Sequence, residues 1–213
     1  MNDLPALITA FTAMFIVIDP IGLAPLFIAM TQGMTSAQRR QIAIRACVAS
    51  TGLLLLFALF GEALLEFIGI SMPAFRIAGG VLLFITALDM LFERRQARRE
   101  DTGSDHIDPA HDPSIFPIAI PLIAGPGAIA TIILLTGQAE GALGFGAVLG
   151  VMLIVIAIVF GLFMAAGLLE RVMGKTGINV VTRLLGMLLA ALSVQFILDG
   201  LRGFGLGGSG LGG

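Results

Sequence analysis

Asp19, Pro20, Gly22 and Pro25 stand inside an otherwise apolar stretch, and their types and order suit the handling of a small charged solute. Asp19 falls near the middle of a segment of about 25 residues, long enough to cross a bilayer. An ionised carboxylate at that depth costs several kcal/mol, so such acids mark ion or substrate paths. Pro20 has no N–H and clashes with the preceding turn, so the helix should break there and release backbone carbonyls and amides. Freed backbone groups at membrane depth are tolerated only in a protein interior or beside a watery cavity. A second set, Pro117, Pro121, Gly125, Pro126 and Gly127, repeats the interruption, with Thr131 one turn further on. Two broken helices in corresponding halves point to a substrate site between them. Half-helix N-termini would offer amides and positive dipole ends to a carboxylate, while C-terminal ends and Asp19 would suit an ammonium, Na⁺ or H⁺. The plainer alternative is that the prolines only kink tightly packed helices, with Asp19 capping a broken turn.

Other polar residues are placed beside that core set. Arg76 and Arg183 open the third and sixth apolar segments, and each reads either as a gate at a vestibule or as an anchor to headgroups. Gln195, Ser193 and Thr86 could hydrogen-bond a solute or a neighbouring helix, and Gln195 is kept with the site. Glu62 and Glu66 lie one turn apart and predict a solvated rim that could partner Arg76. Asp89 and Asp199, near opposite helix ends, receive no chemistry. His106 and His111 lie among acids but match no metal-ligand spacing, so neither a metal nor a cofactor is expected. Enzyme signatures are missing too: no His-Glu-x-x-His, Gly-x-Ser-x-Gly or Walker motif occurs. A paired-aspartate protease would need a second midplane acid where Gly125 stands.

The elements that must position these residues follow from composition. Of 213 residues, 57% are hydrophobic and 12% charged, about half the charge fraction of a soluble domain. Net charge is −2, so nucleic acid is not a partner. The single cysteine, Cys47, excludes an intramolecular disulfide and reads as a packing residue. No positive leader precedes the first apolar segment, which should therefore stay in the mature protein. Six segments reach membrane-spanning length, at about 5–30, 42–68, 73–92, 115–138, 143–169 and 182–202. Connections are expected at 31–40, 66–71, 93–113, 138–141 and 170–179, and the glycine-rich residues 203–213 as a loose tail. With the N-terminus outside, Arg39, Arg40, Arg45, Arg94, Arg95, Arg98, Arg99, Arg171, Lys175 and Arg183 lie inside, leaving only Arg76 and Arg202 outside. Both termini are thus expected outside, and residues 93–114 in the cytoplasm.

Self-similarity divides the chain in two. Phe75-Arg-Ile-Ala-Gly-Gly-Val-Leu82 lies over Thr182-Arg-Leu-Leu-Gly-Met-Leu-Leu189, and Asp19-Pro20-Ile21-Gly22 over Gly125-Pro126-Gly127-Ala128. Three spans per half force the second half into the membrane from the opposite side. The expected fold is an all-α membrane protein of six transmembrane helices in two inverted three-helix repeats, residues 1–92 and 115–202, with broken first and fourth helices.

Those motifs also carry a resemblance. Asp19-Pro-Ile-Gly-x-x-Pro25-x-Phe27, Phe75-Arg-Ile-Ala-Gly-Gly80, Pro121-Leu-x-x-Gly-Pro-Gly-x-Ile129 and Thr182-Arg-x-x-Gly186 with Ala191-x-x-Val-Gln195 are similar to the MarC family of integral membrane proteins. The likeness covers about residues 5–202. Asp19 resembles the branch described as small neutral amino-acid transporters of the SnatA type, and the family is similar to the wider LysE group of six-helix exporters. The resemblance implies a secondary transporter, with export as one direction it could work in, in a bacterial or archaeal inner membrane. Glycine or alanine would be its substrate, H⁺ or Na⁺ its coupling ion, and a homo-oligomer an open arrangement. A permease for a metal cation or other small solute, and a non-transporting scaffold, are the alternatives.

Overall fold

Local chemistry accounts for where each helix begins and ends. The computed structural model describes residues 4–92 and 113–205. Helix α1 (Leu4–Ile18) and α2 (Pro20–Met30) form one apolar span divided only by Asp19. Helix α3 (Ser36–Ile68) starts with reciprocal capping: the Gln38 N–H donates to Thr35 Oγ1 and the Thr35 N–H to Gln38 Oε1. It ends at Gly69, whose φ of 83° suits a residue without a Cβ. Ser71 accepts from the Ala74 N–H and starts α4 (Met72–Leu91). Segment α5 (Ser114–Ile123) and α6 (Pro126–Thr136) meet at a bend of 56°. Helix α7 (Gly141–Met164) and α8 (Ala166–Gly203) complete the order.

The interior of this molecule is apolar, and so is much of its outer surface, unlike that of a soluble domain. Phe67, Leu143, Val48, Phe60, Ile154 and Leu184 are exposed, and they lie on α3, α7 and α8. Such apolar surface on every long helix fits hydrocarbon and would be untenable in water. Five helices are long and apolar enough to cross a membrane, or six when the bent α5–α6 pair counts as one span. The described residues contain no strand. Two thirds (67%) of the α1–α2 span is buried, against 28–39% for the other four long spans. Most of α6 is buried as well, from Ala128 through Leu135 apart from Ile129. The two interrupted spans therefore form the centre of the molecule, and the unbroken ones wrap them.

Glycines set the tightest contact, an antiparallel seam between α4 and α8. A Cβ on Gly80 would fall 2.8 Å from the Ser193 carbonyl oxygen, and one on Gly200 2.9 Å from the Pro73 carbonyl oxygen. A Cβ on Gly186 would fall 3.0 Å from Met90 Cβ and 3.3 Å from the Ala87 carbonyl oxygen. Lipid offers no hydrophobic drive between helices, so close backbone approach of this kind carries much of their association. Further links are the stacked rings of Phe27 and Phe163, 4.3 Å apart, which tie α2 to α7. Arg39 Nε donates to the Thr31 carbonyl at 3.2 Å, placing a cation on the C-terminal end of α2.

Three expectations are corrected. The connection expected at 170–179 is helical, and its interruption shrinks to Gly174, whose φ of 62° and ψ of 174° break α8 locally. Polar residues are compatible with helix there because the segment need not be apolar outside the bilayer. Thr86 and Ser193 do not bridge helices: each hydroxyl donates to its own helix, to the Leu82 and Ala190 carbonyls. Glu62 and Glu66 form an exposed rim, as expected, but Arg76 does not pair with either. The expected arginine-rich run after residue 92, His106, His111 and the glycine tail beyond 205 lie outside the described residues.

Candidate substrate site at two helix breaks

Asp19 interrupts the first span in a way that proline chemistry dictates. Pro20 cannot donate to the Ile16 carbonyl, four residues earlier, so one rung of the ladder is lost. Asp19 takes up left-handed geometry, φ 57° and ψ 62°, one of the few residue types to tolerate it. The turn redirects the Gly22 N–H from the Ile18 carbonyl to Asp19 Oδ1, at 3.1 Å. The Asp19 carboxylate thus caps the N-terminus of α2, where the helix dipole favours negative charge. It does so with only 1% of the residue exposed, deep within the most buried span. Pro25 lies inside α2 without dividing it again.

Gly22 is required by this arrangement. A Cβ there would overlap the Asp19 carboxylate, lying 2.8 Å from its Cγ. Gly22→Ala should therefore dislodge the cap and lower stability by about 1–2 kcal/mol. Thermal unfolding of the purified protein in detergent checks this, and an unchanged midpoint would refute the steric account.

The second break is wider. Pro117 and Pro121 cannot donate, and the residues before them, Phe116 and Ile120, are extended, with φ near −125° and ψ near 120°. The remaining rungs span five residues: Ile118 N–H to the Pro113 carbonyl at 3.2 Å and Ala124 N–H to the Ala119 carbonyl at 2.9 Å. Gly125 is the N-cap of α6, with Pro126 next, and no side chain caps that helix. A Cβ on Gly125 would come 2.5 Å from the Pro121 carbonyl oxygen. The position that matches Asp19 therefore has no room for an acid.

Packing brings the two breaks together. A Cβ on Gly127 would meet Val17 Cγ1 at 3.1 Å, Leu83 Cδ2 at 3.5 Å and Thr86 Oγ1 at 3.9 Å. Gly127 in the first turn of α6 thus lies against α1 two residues before Asp19. Thr131 is fully buried and spends its hydroxyl on the Gly127 carbonyl at 2.8 Å, lending support to the break from below. Gln195 is elsewhere: it lies on an exposed face of α8, its amide donating to Asp199 Oδ1 at 2.9 Å. Asp199 also pairs with Arg202 at 3.2 Å, on the same exposed patch. Arg76 and Arg183 occupy opposite ends of the α4–α8 seam, beside the Gly200 and Gly186 contacts respectively. Sequence reasoning left out Ser50, a buried hydroxyl on α3 shared between the Ala46 carbonyl at 2.8 Å and the Ala119 carbonyl of the second break at 3.5 Å. A serine amid an apolar run was its signal.

An all-helical chain with five or six membrane-length spans and apolar outer faces is a multi-pass integral membrane protein. The particular kind follows from comparison: a sequence model of the MarC family of integral membrane proteins matches residues 4–204, and this chain belongs to that family. It is 36% identical over 206 residues to the UPF0056 membrane protein MJ1677 of Methanocaldococcus jannaschii, covering 94% of this chain and 98% of that one. It is 36% identical to the UPF0056 membrane protein YvbG of Bacillus subtilis, over 92% and 94% of the two chains. The UPF0056 membrane protein YhcE of Escherichia coli is also 36% identical, over 94% of each. No solved structure matches the chain.

Proposed function

We propose that the protein is a secondary transporter of a small neutral amino acid such as glycine or alanine. The observation that carries this reading is the apposition of two broken spans at the buried centre, one bearing Asp19 and the other the uncapped α6 N-terminus. Asp19 would receive the substrate ammonium or a coupling H⁺ or Na⁺, and the amides of α6 would receive the carboxylate. The SnatA-type branch of the family, to which Asp19 is similar, supports the substrate class. No catalytic group, cofactor or metal enters the scheme.

An inverted repeat would supply the alternating access. Packing supports it: α3 rests on α5 and α6 as α7 rests on α1 and α2, and α4 meets α6 as α8 meets α2. The offset from Arg76 to Arg183 carries Gly80 to Met187 and Met90 to Ile197. The Gly80–Ile197 contact then maps one residue away from the Met90–Gly186 contact. On this reading residues 1–92 and 115–202 are the repeats of an inner-membrane protein, with both termini outside and residues 93–114 in the cytoplasm.

Counterflow of labelled glycine and alanine in liposomes tests the reading without knowledge of direction or coupling ion. Wild-type exchange, absent in Asp19→Asn, is the expected result; no exchange by folded wild-type protein overturns it. The Asp19 Oδ1 bond to Gly22 favours a second reading, a scaffold in which the acid is only a helix cap. Accessibility separates the two. In a Cys47→Ser background, Ile21→Cys at the half-buried first turn of α2 should react with a membrane-impermeant thiol reagent. Protection from both faces of the membrane would favour the scaffold.

A further inference from the structure

Among the described residues, Arg76 is a charged side chain with a buried donor that the protein leaves unused. Its Nε is shut off from solvent and has no hydrogen-bond acceptor, and no other polar partner serves the guanidinium among the described residues. The surroundings explain the deficit. Arg76 follows Met72 by one turn and precedes Gly80 by another, so its stem shares the face that packs on α6 and α8. Met72 there touches Gly137 at the end of α6, and Pro73 and Ile77 touch Gly200 near the end of α8. Arg76 thus belongs to the stretch of α4 that packs near the C-terminal ends of α6 and α8. The first turn of α4 holds no acid, and the positive end of its dipole adds to the guanidinium charge. Asp199, at the same end of the bundle, is committed to Arg202 and Gln195. Arg183, the matching residue on α8, differs on both counts: it is exposed and engaged with another residue.

A half-buried guanidinium with an unused donor is suited to an oxyanion, because its planar fork matches carboxylate and phosphate geometry. We propose that Arg76 is an oxyanion-binding site at this mouth of the bundle, completed by a group from outside the chain. The ligand chemistry is a carboxylate or phosphate oxygen pair, supplied either by a free amino acid or by an anionic lipid headgroup. The site stands apart from the Asp19 break, about three helical turns along α4 from the Thr86 contact with Gly127, so it can exist whether or not the transport reading holds.

The test compares wild type with Arg76→Gln, using Arg202→Gln as a control at the same end. Binding of phosphatidylglycerol to protein in neutral detergent, read by native mass spectrometry, forms one arm; equilibrium binding of labelled glycine forms the other. A roughly tenfold loss in the lipid arm alone identifies the phosphate source, and a tenfold loss in the glycine arm alone identifies the carboxylate source. Equal binding by wild type and Arg76→Gln in both arms overturns the proposal. Should Arg76→Gln not survive purification, Arg76→Lys keeps the charge and removes Nε and the fork, and it is expected to weaken the same arm. Failure of glycine counterflow with intact lipid binding would overturn the transport reading and leave this site standing.

Discussion

Liposomes containing Asp19→Asn protein are expected to lose glycine counterflow by roughly two to three orders of magnitude while the protein stays folded. The size follows from leaving a substrate cation without its buried partner, a change worth about 3–5 kcal/mol. The fold should survive because asparagine tolerates the left-handed geometry at φ 57° and can still accept the Gly22 N–H. What it gives up is the attraction of a charge for the helix end, about 1 kcal/mol. Asp19→Ala gives a different result. It forfeits the cap and forces a Cβ-bearing residue with no local compensation into left-handed geometry, for a combined loss of about 2–4 kcal/mol. Measuring unfolding and counterflow on both variants therefore separates the two jobs of this residue. Asp19→Asn protein that transports normally would leave Asp19 as a cap and nothing more.

Gly80→Ala is expected to destabilise the protein by about 2 kcal/mol, and Gly80→Val to prevent assembly. The added Cβ would press on the backbone of α8, 2.8 Å from the Ser193 oxygen and 3.1 Å from the Ile197 nitrogen. Backbone cannot rotate away as a side-chain tip can, so the seam must open, and overpacking of this kind typically costs about 1–3 kcal/mol. Separation also weakens the dispersion contacts that hold membrane helices together. Gly150→Ala supplies the contrast, since nothing lies within 4 Å of its added Cβ. That change should be neutral or stabilising by about 0.5–1 kcal/mol, through better helix propensity. Parallel unfolding in detergent checks both, and equal midpoints for Gly80→Ala and Gly150→Ala would refute the seam. Gly146 and Gly150 have the spacing of a close-packing motif, yet a Cβ at either meets no neighbour. Spacing alone therefore carries little weight in locating close helix contacts.

Much of this architecture is readable along the chain because membrane and backbone impose strict local rules. Hydrocarbon demands long apolar helices, so the spans at 5–30 and 73–92 nearly coincide with Leu4–Met30 and Met72–Leu91. Proline lacks an N–H wherever it stands, so Pro20, Pro117 and Pro121 marked where the ladder would fail. Side-chain partners obey no such local rule. Gln195 and Thr131 are both polar residues in apolar helices, and nothing in the chain says that one faces outward to Asp199 while the other supports the Gly127 carbonyl. The same holds for Gly174, whose break sits inside a helix, and for Ser50, which reaches a carbonyl 69 residues away. Class, spans and break points thus came from rules acting within a few residues. The meeting of Gly127 with Val17, the α4–α8 seam and the unpartnered Nε of Arg76 came only from tertiary packing, because each depends on which helix faces become neighbours.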